Sequence, residues 1–165
     1  MATLAAGVTA PGIELPLADG KKFSLAEARK QGPVVAAFFK VSCPVCQYAF
    51  PYIERLYRAH AGSNVTFVGI SQDSAPDTEA FALRYGLTFP MALEDTKKYR
   101  VSSAYRLTNV PSIFFIAADG EIELASIGWN KKDIETINQK LAQASKKPAT
   151  AVWKPGEDVA DFRAG

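Results

Sequence analysis

Two cysteines separated by two residues are the part of this sequence best suited to chemistry. Cys43-Pro44-Val45-Cys46 brings two sulfurs within one helical turn, close enough for a reversible disulfide. An apolar run ends just before Cys43, and Pro44 has the fixed φ and missing N–H that the first turn of a helix tolerates. We therefore predict that Cys43 caps a helix, where free N–H groups and the helix dipole favour a thiolate.

The two cysteines are expected to have different catalytic roles. We predict that Cys43 is the nucleophile that attacks a disulfide. Cys46 lies one turn further on, on the side that packs toward the sheet, so we expect it to be shielded and to resolve the mixed disulfide by attacking Cys43. Pro51 is predicted to bend the same helix at Phe50-Pro51.

The elements that must position this pair follow the alternation of apolar runs and helical stretches. Residues 33–41 form an apolar run that only Lys40 interrupts, which predicts a central strand buried on both faces, and residues 65–70 predict a second strand. Ser74 is predicted to start a helix with an apolar side. The residues assigned to that side are Phe81, Leu83 and Leu87.

The second half of the chain predicts further strands and two helices. Residues 89–93 predict an edge strand, because Pro90 cannot donate to a ladder, and Asp95 or Thr96 is expected to cap the next helix. Asp119-Gly120 separates two apolar runs that should pair antiparallel. Asn130 is predicted to cap a last helix that faces the sheet through Ile134, Ile137 and Leu141, and Asp19-Gly20 predicts an N-terminal hairpin with Ile13, Leu15 and Phe23 in its arms.

Length and composition predict one folded domain. The chain has 165 residues, of which 48% are hydrophobic and 22% charged, which excludes a disordered chain. We assign residues 1–145 to this domain and residues 146–165 to a C-terminal extension packed on the body, with Trp153, Val159 and Phe162 as apolar anchors. A contact with a second copy or a partner is the alternative for the extension, so the chain is expected to be a monomer or a homodimer.

Charge and hydropathy exclude several partners. A formal net charge of +2 gives no reason to expect nucleic acid, and no apolar run reaches the length of a membrane helix. No signal peptide is visible, so a cytoplasmic location is expected, or a periplasmic one if a leader has been removed.

Zinc is a minor alternative for the cysteine pair, with His60 and carboxylates as further ligands. We instead expect His60 to be a cationic residue at a helix end.

Residues 38–51, FFKVSCPVCQYAFP, resemble the active-site strand and kinked helix of the thioredoxin-fold redoxins of the AhpC/TSA superfamily. The most similar subgroup is the TlpA/ResA-like thiol-disulfide oxidoreductases, and the resemblance extends through Asn109-Val110-Pro111-Ser112 and Asp119-Gly120. It implies an α/β, thioredoxin-like fold with a central mixed β-sheet, helices on both faces, an N-terminal β-hairpin and a C-terminal tail. The resemblance also implies that Pro111 is cis and faces the cysteine pair.

The substrate site is likewise implied by the resemblance. Val110 is expected to offer its backbone to a substrate chain, and Pro111, Pro44 and Ser42 are expected to complete the binding surface. The sequence departs from its relatives where they carry a carboxylate base or an aromatic residue, since it has Ala37, Ser42 and Ala49 there. Lys40 is a candidate cation that favours the Cys43 thiolate, and a merely solvated lysine is the alternative.

Three functions follow from these features. The leading hypothesis is a thiol-disulfide oxidoreductase that acts on protein or small-molecule disulfides with an external thiol reductant and needs no metal or organic cofactor. A peroxiredoxin-type peroxidase, with Cys43 peroxidatic and Cys46 resolving, is the second. Its usual proline and threonine are replaced here by Ala36 and Lys40. The third is a redox-switched binding module without turnover.

Overall fold

The computed structural model describes residues 2–165, and a five-stranded mixed sheet is its centre. In spatial order its strands are β5 (Met91–Leu93), β4 (Thr66–Ser71), β3 (Val34–Phe39), β6 (Ser112–Ile116) and β7 (Ile122–Ile127). β3 pairs in parallel with β4 and antiparallel with β6. Two small antiparallel pairs flank this sheet: β1 (Glu14–Pro16) with β2 (Lys22–Ser24), and β8 (Trp129–Asn130) with β9 (Phe162–Arg163).

Five helices cover the two faces of the sheet. They are α1 (Leu25–Arg29), α2 (Pro44–Ala59), α3 (Ala75–Tyr85), α4 (Arg100–Ala104) and α5 (Lys131–Ser145). One apolar cluster joins the sheet to α2, α3 and α5, and a second cluster joins it to α1 and α4. The predicted thioredoxin-like arrangement, a mixed sheet between two layers of helices, is therefore confirmed. Within residues 2–165, no helix combines the length and apolar character needed to cross a lipid bilayer.

Strand β3 lies in the middle of the sheet, and all six of its residues are buried. Because side chains alternate along a strand, Val35, Ala37 and Phe39 belong to one apolar cluster, and the residues between them belong to the other. This strand ends four residues before Cys43. A rigid, fully packed element therefore fixes the position from which the cysteine-bearing helix starts.

Several local predictions are confirmed. β5 is an edge strand, and the residues on either side of Asp119-Gly120 form the antiparallel pair β6–β7. Leu15 faces Phe23 across the N-terminal hairpin. Asn130 caps α5, where its side-chain oxygen accepts a hydrogen bond from the backbone N–H of Asp133 over 3.2 Å.

The predicted apolar side of α3 is wrong at one position. Phe81 is buried, whereas Leu83 is 86% exposed. The two residues are separated by about 200° around the helix axis, so both cannot face the same sheet. Leu87, which follows the helix, is buried.

The cap predicted for α4 is also wrong. Asp95 and Thr96 lie in the preceding turn, and Tyr99 occupies the cap position without a side-chain hydrogen bond. The buried carboxylate of Glu94 caps the helix instead, since it accepts hydrogen bonds from the backbone N–H groups of Val101 (3.3 Å) and Ser102 (2.7 Å). A residue outside the helix thus satisfies its first donors by approaching from the end of β5.

His60 does end α2, but the expectation of a cationic imidazole is wrong. The side chain is 3% exposed, and burial lowers the pKa of His60, which favours the neutral ring. Its Nδ1 lies 3.5 Å from the hydroxyl of Ser145, while Nε2 has no hydrogen-bond partner within residues 2–165. The helix dipole does not compensate the cost of burying a charged imidazole at a position from which α5 excludes water.

Residues 152–165, here called the C-terminal strap, run across the outside of α2 and α5. Val152 and Val159 are buried, whereas Phe162, a predicted anchor, is 60% exposed. The guanidinium of Arg55 makes two hydrogen bonds of 2.7 Å to the carboxylate of Glu157. These contacts hold the strap on the body, while the division of the chain at residue 145 stays a prediction.

Candidate functional site

The position of Cys43 at the start of α2 follows from the local sequence. Its backbone is extended (φ −81°, ψ 116°), and Pro44 occupies the first turn of the helix. The sulfur of Cys43 accepts a hydrogen bond from the backbone N–H of Cys46 over 3.3 Å. Cys43 therefore caps the helix as predicted, and the helix N-terminus directs a donor at its sulfur.

The two thiols differ in their exposure to solvent. Cys43 is half-buried, whereas Cys46 has no exposed surface, and neither is in a disulfide. Burial, reinforced by the hydrogen bond and charge of Cys43, raises the pKa of Cys46 well above its ordinary value. Cys46 is thus held as a thiol directly behind a more accessible sulfur.

The loop before β6 reaches the cysteines from the other side. The Val110–Pro111 bond is cis, as the resemblance implied, and the hydroxyl of Ser112 donates to the carbonyl of Asn109 over 2.8 Å. The Cys43 thiol donates to the carbonyl oxygen of Val110, 3.4 Å away. Pro111 is buried beneath this loop. The backbone of Val110 therefore lies in direct contact with Cys43.

Cys43 opens into a cleft of about 330 Å³. Its walls are formed by Lys40, Cys43, Gln72, Leu107, Thr108, Asn109, Val110 and Gly165. Lys40 thus shares the cleft with Cys43, while its effect on the Cys43 thiolate stays a prediction. Ser42 and Pro44 are exposed beside the cysteines but do not line the cleft. Their role in substrate binding also stays a prediction.

Asp73 is a site residue that sequence reasoning missed. Its carboxylate accepts a hydrogen bond of 2.8 Å from the backbone N–H of Val41, two residues before Cys43. The Gln47 amide donates to the carbonyl oxygen of Val41 over 3.0 Å. The segment leading to Cys43 is therefore held from both sides. A signal was present, because Asp73 follows β4 and neighbouring parallel strands end at the same edge of a sheet.

The C-terminal strap also reaches the site, which the sequence did not indicate. The side-chain amide of Asn109 donates to the carbonyl oxygen of Gly165 over 3.0 Å. Gly165 packs against the carbonyl oxygen of Val110, the same atom that accepts from Cys43. The end of the strap is therefore part of the wall of the cleft.

The zinc alternative does not agree with the geometry. Cys43 and His60 lie at opposite ends of α2, whose 16 residues span about 24 Å. Within the described residues, no group of three His, Cys, Asp or Glu side chains could hold a metal ion. The cysteine pair therefore lacks the additional ligands that a tetrahedral zinc site needs.

The geometry can be compared with known proteins. The family model described as "AhpC/TSA family" matches residues 6–125, which is most of the chain. This chain belongs to the AhpC/TSA family. Among curated members of similar sequence, the thiol-disulfide oxidoreductase ResA of Geobacillus kaustophilus is 31% identical over 134 residues, which cover 80% of this chain and 75% of that protein. ResA of Geobacillus thermodenitrificans is 30% identical and covers 84% and 77%.

Solved structures place this AhpC/TSA family member in the thioredoxin fold. The thioredoxin domain of a thiol-disulfide oxidoreductase from Bacteroides vulgatus superposes with a TM-score of 0.74 at 22% identity, covering 84% of this chain and 98% of that domain. The resemblance noted in the sequence, the fold class and the expectation of an oxidoreductase enzyme are therefore confirmed.

Proposed function

We propose that the protein exchanges disulfides through Cys43 and Cys46, with Cys43 as the sulfur that meets the substrate. The difference in exposure between the two sulfurs carries this proposal: Cys43 opens into the cleft, and Cys46 lies directly behind it without exposed surface. A thiolate at Cys43 keeps the hydrogen bond from the N–H of Cys46 and lies at the positive end of the α2 dipole.

The reaction then takes two steps that transfer two electrons. The Cys43 thiolate attacks one sulfur of the substrate disulfide, which forms a mixed disulfide and releases the other sulfur as a thiolate that takes up a proton. Cys46 next attacks the sulfur of Cys43 and loses its own proton, and the second substrate sulfur leaves and is protonated. The substrate is reduced to two thiols, and the cysteine pair is oxidised to a disulfide.

The raised pKa of Cys46 assigns an order to these steps. A protonated Cys46 is a poor nucleophile, so it does not compete with Cys43 for the incoming disulfide. The mixed disulfide removes the negative charge of Cys43, which is one of the causes that raise the pKa of Cys46. Formation of the mixed disulfide therefore makes Cys46 easier to ionise when its attack is needed.

The backbone beside the cis proline is the proposed substrate contact. The N–H of Val110 has no hydrogen-bond partner within residues 2–165, and its carbonyl oxygen contacts Cys43. An unpaired backbone group next to the reactive sulfur can orient a disulfide that approaches along the cleft. Pro111, Pro44 and Ser42 complete the proposed contact surface around it.

An external thiol is the proposed source of electrons. The buried Cys46 keeps the pair accessible from the Cys43 side only, so the reductant uses the same cleft as the substrate. In a reducing compartment the pair rests as a dithiol, and the net reaction is reduction of the substrate. Protein and small-molecule disulfides are the proposed substrate classes.

Serine variants test the proposal. Cys43→Ser should abolish reduction of insulin and of oxidised glutathione by dithiothreitol above the uncatalysed rate. Cys46→Ser should accumulate mixed disulfides through Cys43, detectable by mass spectrometry after acid quenching and absent in the Cys43→Ser/Cys46→Ser control. Full activity of Cys43→Ser, or a trapped adduct on Cys46 in the wild-type protein, would reject the assigned roles.

Two further assays distinguish disulfide exchange from the two alternative functions. A peroxidase consumes hydrogen peroxide with a kcat/KM above that for the disulfides, whereas the proposed exchange gives the opposite order. A binding module captures partners that are released by salt or dilution, whereas the proposed reaction captures them through a bond that only a reductant breaks. Faster turnover of hydrogen peroxide than of disulfides, or partners that salt or dilution releases, would replace disulfide exchange as the function.

A further inference from the structure

The last four residues of the C-terminal strap lie beside the proposed substrate-binding backbone. Strand β9 pairs with β8, where Arg163 faces Trp129 and Phe162 faces Asn130. The guanidinium of Arg163 lies 4.1 Å from the ring centre of Tyr48 on α2. Residues 162–163 are thus held between α2 and the start of α5.

Gly165, at the end of the strap, enters the wall of the cleft. Asn109 donates to the carbonyl oxygen of Gly165, and Gly165 packs against the carbonyl oxygen of Val110. On the other side, the strap passes so close to Gly128 that a Cβ there would lie 2.5 Å from the carbonyl oxygen of Arg163. A side chain at residue 128 would therefore displace the strap, so glycine at this position is part of its docking site.

Residues before the last four fix the course of the strap. The indole N–H of Trp129 donates to the carbonyl oxygen of Ala160 over 2.6 Å, and the N–H of Ala160 donates to the hydroxyl of Tyr48 over 3.0 Å. Lys131 donates through its N–H to the carbonyl oxygen of Asp161 over 2.9 Å. The strap therefore reaches Val110 along a defined path.

We propose that residues 162–165 determine substrate specificity by covering the side of Val110 on which an extended polypeptide would lie. This inference rests on the proposed disulfide exchange at Cys43. A polypeptide that pairs with the Val110 backbone needs several residues of extended chain beside the cleft, where Gly165 already lies against the carbonyl oxygen of Val110 and the two residues before it lie against Gly128. A small disulfide needs only the cleft itself, of about 330 Å³.

The docked strap lowers the apparent affinity for protein disulfides but not for small ones. A protein disulfide reacts only in molecules whose strap has left Val110. Its apparent affinity is therefore the intrinsic affinity multiplied by the fraction of such molecules. A small disulfide reacts in both states. The strap therefore makes small disulfides, such as those of low-molecular-weight thiols, the preferred substrate class.

Removal of the four residues tests the proposal. A variant that lacks residues 162–165 should reduce insulin with a kcat/KM raised about tenfold, while the kcat/KM for oxidised glutathione stays within about twofold of the wild-type value. Arg163→Ala, which loses the contact with Tyr48, should change the ratio of the two kcat/KM values in the same direction by a smaller factor. Asp158→Ala is the matched control, because Asp158 is an exposed strap residue without a side-chain hydrogen bond in the described structure.

An equal change for both substrates, or no change for either, overturns the strap proposal and leaves the exchange reaction standing. Failure of the wild-type protein to reduce either substrate overturns the exchange reaction itself. If the shortened variant does not fold, Gly128→Ala gives an independent measurement, because its Cβ would lie 2.5 Å from the carbonyl oxygen of Arg163 and displace the strap. It should change the ratio of the two kcat/KM values in the same direction as the shortened variant. An unchanged ratio in Gly128→Ala overturns the proposal.

Discussion

The thiol of Cys43 donates a hydrogen bond to the carbonyl oxygen of Val110, which lies 67 residues further along the chain and 3.4 Å from the sulfur. This contact joins the start of α2 to the cis-proline loop before β6. A thiolate cannot make the same bond, because it has no proton to donate. Ionisation of Cys43 therefore frees the Val110 carbonyl, while the N–H of Cys46 still points at the sulfur.

Alkylation should distinguish the two cysteines. In the reduced protein, limiting iodoacetamide at pH 7.5 should label Cys43 at least about tenfold faster than Cys46, because Cys46 is buried and its pKa is raised. Peptide mapping by mass spectrometry measures both rates. In urea, where burial is lost, the two cysteines should react at similar rates. Comparable labelling in the folded protein would show that the raised pKa of Cys46 does not protect it.

Asp73 should stabilise the segment that carries Cys43. Asp73→Ala leaves the part-buried N–H of Val41 without its acceptor, which should lower the free energy of unfolding by about 1–3 kcal/mol. Asp73→Asn keeps an acceptor and should lose less stability. Urea denaturation measures both. Because the charge of Asp73 is one of the causes that raise the pKa of Cys46, Asp73→Asn should also ease alkylation of Cys46. Wild-type stability of Asp73→Ala would argue against this role.

Glu94 and Asp95 make a matched pair for the start of α4. Glu94→Ala removes the acceptor of three backbone N–H groups and of the Ser102 hydroxyl, and should cost about 2–4 kcal/mol because buried donors are left unpaired. Asp95→Ala should leave the urea midpoint almost unchanged, since that side chain is exposed. The opposite order of stability would restore Asp95 as the cap.

His60 should give the protein a pH dependence that a single residue explains, since it is the only histidine in the chain. Burial lowers its pKa in the folded state, so the unfolded chain takes up the proton more readily. Stability should be fully present above the unfolded pKa of about 6.5 and fall as the pH drops through the lower folded pKa.

The control for this pH dependence is His60→Phe, which keeps an aromatic ring but cannot titrate. The difference in unfolding free energy between pH 7.5 and pH 5.5 should be larger in the wild-type protein than in this variant, as measured by urea denaturation at each pH. Equal differences would mean that folding leaves the pKa of His60 unchanged, and a smaller difference in the wild-type protein would mean that the folded state favours the cationic ring, as the sequence had suggested.

Two of the wrong predictions, the cationic His60 and the side-chain cap of α4, have a common physical cause. Spacing along the chain predicts which residues share a helix face or suit a turn, and it correctly identified Asn130 as a cap. It cannot show which distant element approaches a given residue. α5 buries His60, and the carboxylate of Glu94 at the end of β5 reaches the first turn of α4.

The sequence by itself determined the cysteine pair, its place at the start of a helix after a buried strand, and a mixed sheet with helices on its faces, because these depend on local spacing and on apolar periodicity; the resemblance to a family implied that the fold is thioredoxin-like. Only the tertiary structure decided that Asp73 and Gly165 join Val110 beside the segment that carries Cys43. Val110, Asp73 and Gly165 come from separate parts of the chain, and they converge because strand order and the docking of the strap bring them to one edge of the sheet. Such convergence depends on long-range packing, which leaves no periodic signal along the chain.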